Sequence, residues 1–180
     1  MNKYHIDKED AVLVIIDIQE RLMSAMPERE RVYKNTALLI ETAKQLGIPM
    51  VVSEQYPRGL GPTAAEIKDH LADYQYIEKV SFSVSEQLLE ILPKDRKTLI
   101  VTGSETHVCV FQTVRDMVEA GYTVHLPQDA VCSRFAINYC SGLDLMRDLG
   151  AVITNSETIV FDLLKVAGTP EFKAISPLLK

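Results

Sequence analysis

Three side chains with complementary chemistry follow apolar runs of this sequence: Asp17 after AVLVII, Lys79 after QYIE and Cys109 after LIVTGSETHV. A thiol attacks as its thiolate, a carboxylate can take the thiol proton, and an ammonium can steady the charge that results. Thr106 stands where a helix N-cap belongs, which puts Cys109 in the first turn of a helix. Unpaired N–H groups and the helix dipole at that turn favour a thiolate and can hold an oxyanion. Each residue alone has a plainer reading. A strand-end Asp is a cap, a lysine after a strand is a solvated end, and a helical Cys is a small buried hydrophobe. Their coincidence on one rim is what points to chemistry.

The elements that must bring them together read as a βαβ grammar. Short β-branched runs at Ala11 to Ile16, Pro49 to Ser53, Thr98 to Gly103, Tyr122 to Leu126 and Ala151 to Thr154 predict buried strands, with a weaker one near Gln75 to Glu78. Helical periodicity covers Arg31 to Leu46, Ala64 to Leu71, Ser85 to Leu92, His107 to Ala120, Ile137 to Leu149 and Thr158 to Val166. Gly47, Gly121 and Gly150 stand at helix ends. The fold class expected is α/β: a three-layer, Rossmann-like arrangement with a mostly parallel sheet of about six strands and helices on both faces. In such a sheet, ligands bind beyond the carboxyl ends of the strands where the strand order reverses. Asp17, Lys79 and Cys109 all fall at those ends.

The 180 residues fit one domain over 1–180, and 47% apolar residues can fill its core. A formal charge of −6 argues against nucleic acid and anionic membranes as partners. A small molecule is the partner expected. The start, MNKYHIDKEDAVLVIID, lacks the order of a secretory signal, and no apolar run reaches membrane-spanning length. Cys109, Cys132 and Cys140 form no CxxC pair and leave an odd thiol, so the expectation is a cytoplasmic protein.

The segments LVIIDIQERL, EKVSFSV and VTGSETHVCVFQTVRDMVEAGYTVHLPQDAVCSR resemble the three motifs of isochorismatase-like cysteine hydrolases, and the words SEQYPRGLGPT and GSETHVC resemble most the isochorismatase domain-containing branch. That resemblance implies Asp17 as acid/base, Lys79 as triad lysine and Cys109 as nucleophile. It also implies a cis peptide between Ser104 and Glu105, an oxyanion hole from the backbone N–H groups of Glu105 and Cys109, no cofactor, and a homo-oligomer. Nicotinamidases of the superfamily carry an Asp and His cluster for a metal after the second strand. Here SEQYPRG contains no histidine, so no metal is expected. True isochorismatases cleave a vinyl ether by protonation, without need of a thiol. Cys109 therefore favours cleavage of a small amide or related C–N bond.

Gln19, Tyr56, Phe82 and His107 are the candidate substrate contacts; the aromatics read equally as core and His107 as a solvated residue of the first turn. His5, His70 and His125 lack ligand spacing and read as structural, Cys132 and Cys140 as packed thiols, and Glu54 and Arg58 as pocket or loop charges. The irregular stretch Ser53 to Thr63 is a candidate lid or subunit contact. Two other readings stay open: ether hydrolysis with Asp17 as general acid, and an idle binding scaffold on the same fold. A dinucleotide-binding protein fits less well, because the first strand runs into DIQERL and not into a glycine-rich loop.

Overall fold

The computed structural model describes residues 2–179. The first half of the chain runs β1 (Ala11–Ile16), α1 (Glu20–Ser24), α2 (Arg29–Leu46), β2 (Met50–Gln55), α3 (Pro57–Leu60), α4 (Ala65–Lys68), β3 (Tyr74–Lys79), α5 (Ser85–Ile91) and β4 (Thr98–Ser104). A π-helical turn (Thr106–Val110) then leads into α6 (Phe111–Glu119), followed by β5 (Thr123–Pro127), β6 (Val131–Cys132), α7 (Ala136–Asp148), β7 (Val152–Thr154), α8 (Ser156–Leu164) and α9 (Pro170–Ile175).

One seven-stranded sheet has the order β3-β2-β1-β4-β5-β7, with β6 beside the end of β4, and every strand pair is parallel. Connections from β1 lead one way across the sheet and those from β4 lead the other. The strand order therefore reverses between β1 and β4, where the ends of two strands leave a crevice.

All six residues of β1 are buried because the strand is central and covered on both faces. Ala11, Leu13 and Ile15 pack with Ile40 of α2, Val160 of α8 and Ile175 of α9. Val12, Val14 and Ile16 face the opposite layer, with Leu88 of α5, Val114 of α6 and Met146 of α7. The alternation of a strand's side chains thus feeds two helix layers from one apolar run.

The fold departs from the sequence expectation in three places. It has a seventh strand, β6, which pairs Val131 with Gly103 and Cys132 with Ser104. Two residues are too few to carry a period, and the strand exists because β5 pairs with β4 only as far as Ile100. The weak strand near Gln75 is a full six-residue edge strand reaching Lys79; its exposed Tyr74, Gln75 and Tyr76 explain the poor apolar signal. The expected helix from His107 is split, and its first turn is a π-turn with Glu105 at the N-cap position instead of Thr106. Outside the sheet, α1, α3 and α9 are short helices that periodicity alone did not reveal.

Candidate active site

Asp17 ends β1 in the left-handed region, at φ 52°. This conformation is uncommon for a side-chain-bearing residue and most accessible to Asp and Asn. Its backbone stays in the sheet, with its N–H donating to the Ser53 carbonyl at 3.1 Å and its carbonyl accepting from the Ser104 hydroxyl at 2.9 Å. The side chain is fully buried. The Ser53 hydroxyl donates to Oδ1 at 2.7 Å and the Lys79 ammonium donates to Oδ2 at 2.6 Å.

Lys79 ends β3 two strands away, with its head group as inaccessible as the carboxylate. Besides Asp17, its Nζ reaches Gln55 Oε1 at 2.9 Å and the Phe82 and Ser81 carbonyls at 3.0 and 3.3 Å. An ammonium has three donors, so this surround satisfies it without water. Removing two charges from water is costly, and removing either partner would leave the other uncompensated, a loss of about 3–5 kcal/mol.

Cys109 lies in the π-turn after β4 and is 5% exposed. Its thiol hydrogen-bonds to the Asp17 side chain. Burial, reinforced by the Asp17 charge, pushes the thiol up to about 12, against the opposing pull of Lys79. The free site therefore holds a neutral thiol beside the Asp17 carboxylate. The expectation that the first helical turn favours a thiolate is corrected for the free site, where burial and the Asp17 charge raise the thiol; the accompanying expectation that a base is needed is unaffected.

Two glycines allow this approach. Gly103, at φ +131°, lies against β1, and a Cβ there would meet the Ile16 carbonyl oxygen at 2.0 Å. Gly142 of α7 lies against the π-turn, where a Cβ would meet His107 Cα at 3.0 Å and its N at 3.1 Å. The peptide bond between Ser104 and Glu105 is cis, at the position expected. The Glu105 carboxylate accepts from the Arg134 backbone at 2.9 Å and from its Nε at 3.1 Å.

The other candidate residues divide. Tyr56 and Phe82 are more than half exposed, and His107 is partly buried with Nδ1 3.0 Å from the Ser133 hydroxyl. Gln19 is fully buried; its amide nitrogen donates to the Gln55 and Gly61 carbonyls at 3.0 and 2.7 Å, and its oxygen accepts from the Gln55 N–H at 2.8 Å. Glu54 is buried too. It accepts from Thr63 and Tyr76, tying the loop after β2 to β3. With the Gln19 to Thr63 bridge, these bonds make the stretch after β2 an anchored loop. Ser53 and Gln55, partners of Asp17 and Lys79, were legible only as polar residues ending an apolar strand. Of the remaining thiols, Cys132 is buried as expected, whereas Cys140 is exposed on α7.

Among the described residues, no three His, Cys, Asp or Glu side chains cluster so as to hold a metal. No helix among them is long and apolar enough to cross a membrane.

Comparison with known proteins agrees with this architecture. The family model of the isochorismatase domain matches residues 11–158. A secreted isochorismatase effector, Isc1, from Phytophthora sojae is 38% identical over 178 residues, covering 94% of this chain and 84% of the relative. Isochorismatase domain-containing protein 2 of Xenopus laevis is 32% identical, covering 97% of this chain and 85% of the relative. Among solved structures, the MAR1 ribonuclease of Caenorhabditis elegans superposes with a TM-score of 0.93 at 33% identity, over 97% of this chain and 92% of that one. With its parallel sheet, its reversal of strand order between β1 and β4 and these matches over most of its length, the chain belongs to the isochorismatase-like hydrolase family.

Proposed function

We propose that the protein is a cysteine hydrolase that cleaves a small amide or related C–N bond through Cys109, Asp17 and Lys79. The observation that carries this reading is the shared carboxylate: Asp17 meets the Cys109 thiol and the Lys79 ammonium at once, out of water. As substrate enters, Asp17 takes the thiol proton and the sulfur attacks the carbonyl carbon. The backbone N–H groups of Glu105 and Cys109 hold the resulting oxyanion. The C–N bond then breaks, Asp17 returns the proton to the leaving nitrogen, and a thioester remains. Water attacks it with Asp17 again as base, which releases the acid and restores the thiol. Lys79 offsets negative charge throughout, and no cofactor takes part. A thiol that is neutral at rest suits this order, because the proton moves only when a carbonyl is present to be attacked.

In this reading Tyr56, Phe82 and His107 contact substrate, while Gln19 acts indirectly by holding the loop that carries Tyr56. The exposed Phe82 and Val80 at the mouth support a homo-oligomer that covers them, which light scattering on the purified protein tests. The test of the reaction is a screen of small amides and carbamoyl compounds for released amine or ammonia. Cys109→Ala is expected to abolish turnover with the fold intact, and Asp17→Asn to stop turnover by removing the base. Hydrolysis of isochorismate that survives Cys109→Ala would instead assign ether cleavage. Cleavage of single-stranded RNA that survives it would assign a chemistry like that named for the nematode relative.

A further inference from the structure

A second cavity, of about 720 Å³, lies far from the triad at the β7 edge of the sheet, between β5, α8 and the segment before β1. His125 of β5 lines it, 2% exposed, and its Nε2 has no hydrogen-bond partner among the described residues. Burial pushes the imidazole down to about 4, so the ring is neutral at physiological pH. A neutral imidazole has one N–H and one bare nitrogen, and in the tautomer with its proton on Nδ1 it is Nε2 that stands as a bare acceptor. A buried acceptor without a donor is costly, and such exceptions call for a specific explanation.

The rest of the lining says what kind of donor fits. It includes the carboxylates of Asp162 and Glu157 of α8 and, among the described residues, no lysine or arginine. Asp162 Oδ2 accepts the Ile6 N–H at 2.7 Å, while Oδ1 lies 3.9 Å from the half-exposed His5 ring. The one lysine nearby, Lys3, places its ammonium over the Tyr4 ring and donates to the Gly150 carbonyl. Half-exposed Phe161 and exposed Tyr4 add aromatic surface, which attracts organic cations. We infer that this cleft is a binding site for a small organic ammonium compound, whose N–H donates to His125 Nε2 and whose charge meets Asp162 and Glu157. This site is independent of the thiol chemistry proposed above.

The test is a titration of the full chain with benzylammonium chloride, followed by backbone amide NMR and by a histidine spectrum that reads Nε2. Saturable shifts are expected at Ile159, Phe161 and the His125 Nε2. Benzyl alcohol and phenylacetate, of similar shape but without the positive charge, should bind at least about tenfold more weakly. Glu157→Gln, an exposed change that no fold contact depends on, should weaken binding about threefold, and His125→Phe and Asp162→Asn about tenfold each. The inference is overturned by equal affinity for benzyl alcohol, by affinities that ignore Glu157→Gln and His125→Phe, or by shifts confined to the β1 and β4 ends. It is also overturned by no saturation below about 10 mM, a limit beyond which affinity would not be specific. A stronger response to zinc chloride than to benzylammonium would overturn it as well, by assigning a metal.

Discussion

On the β1 to β3 side of the candidate site, the Ser53 hydroxyl donates to Asp17, and Lys79 donates to Asp17, to Gln55 and to the carbonyls after β3. On the β4 side, Cys109 is positioned by backbone against backbone, with Gly103 against Ile16 and Gly142 against His107. The first arrangement can lose one bond and keep its shape, because the remaining hydrogen bonds still hold the group. The second has no slack, since an added methyl group must displace main chain. The two halves of one site should therefore fail in different ways when altered: the first in rate, with stability lost only where a buried charge is stranded, the second in placement and stability.

The sharpest break is Gly103→Ala. A Cβ 2.0 Å from a carbonyl oxygen, at a φ that favours glycine, should lower stability by more than about 3 kcal/mol in urea unfolding. Next is Lys79→Met, which strands Asp17. The expected loss is about 3 kcal/mol of stability, with turnover down about a thousandfold by steady-state kinetics. An unfolding midpoint unchanged by Lys79→Met would show that the pair is not buried as described. Gly142→Ala is milder, because contacts at 3.0 to 3.1 Å need a shift of only tenths of an ångström. About 1 kcal/mol of stability should go, together with a change in the alkylation rate of Cys109. Ser53→Ala removes one of the bonds to Asp17, so about 1 kcal/mol and less than about a tenfold fall in turnover are expected.

The pH response sharpens the same contrast. Because the Cys109 thiol is raised to about 12, it is neutral below that value in the free protein. Its alkylation by iodoacetamide, measured in a Cys140→Ser background, should climb steadily as pH rises towards that value, with no plateau near neutrality. A plateau there would mean a thiolate at rest. The linked stability has a definite sign: a folded-state thiol raised above its usual value of 9 adds stability that is complete below about pH 9 and is lost as pH climbs towards 12. Cys132, raised by burial in the same way, adds to that loss. At the far edge of the sheet His125 acts in the other direction. Its lowered value adds stability present above about pH 6.5 and lost as pH falls towards 4.

Much of this was legible in the residues. The β1 run has the same limits in the sequence reading and in the structure, because a central strand's burial on both faces leaves an unbroken apolar word. Asp17, Lys79 and Cys109 were each found as a reactive group ending an apolar strand or opening the helix behind one. What the residues misstated is also physical. Gln19 reads as a pocket residue but spends its amide on backbone groups of a loop some forty positions away. Glu54 reads as a possible solvated charge but is buried beneath Thr63 and Tyr76. Such partners are distant in sequence, so no local pattern announces them.

The sequence by itself determined the alternation of strands and helices, the two-faced core and the reactive groups on one rim, because these follow from side-chain periodicity and residue chemistry. Tertiary structure alone decided that Cys109 rests as a neutral thiol, that Gly142 bears on its turn, and that His125 Nε2 lies buried without a partner among the described residues. Those outcomes depend on which buried groups are brought within a few ångströms of one another, and desolvation and close contact are properties of that assembled neighbourhood and of no single segment.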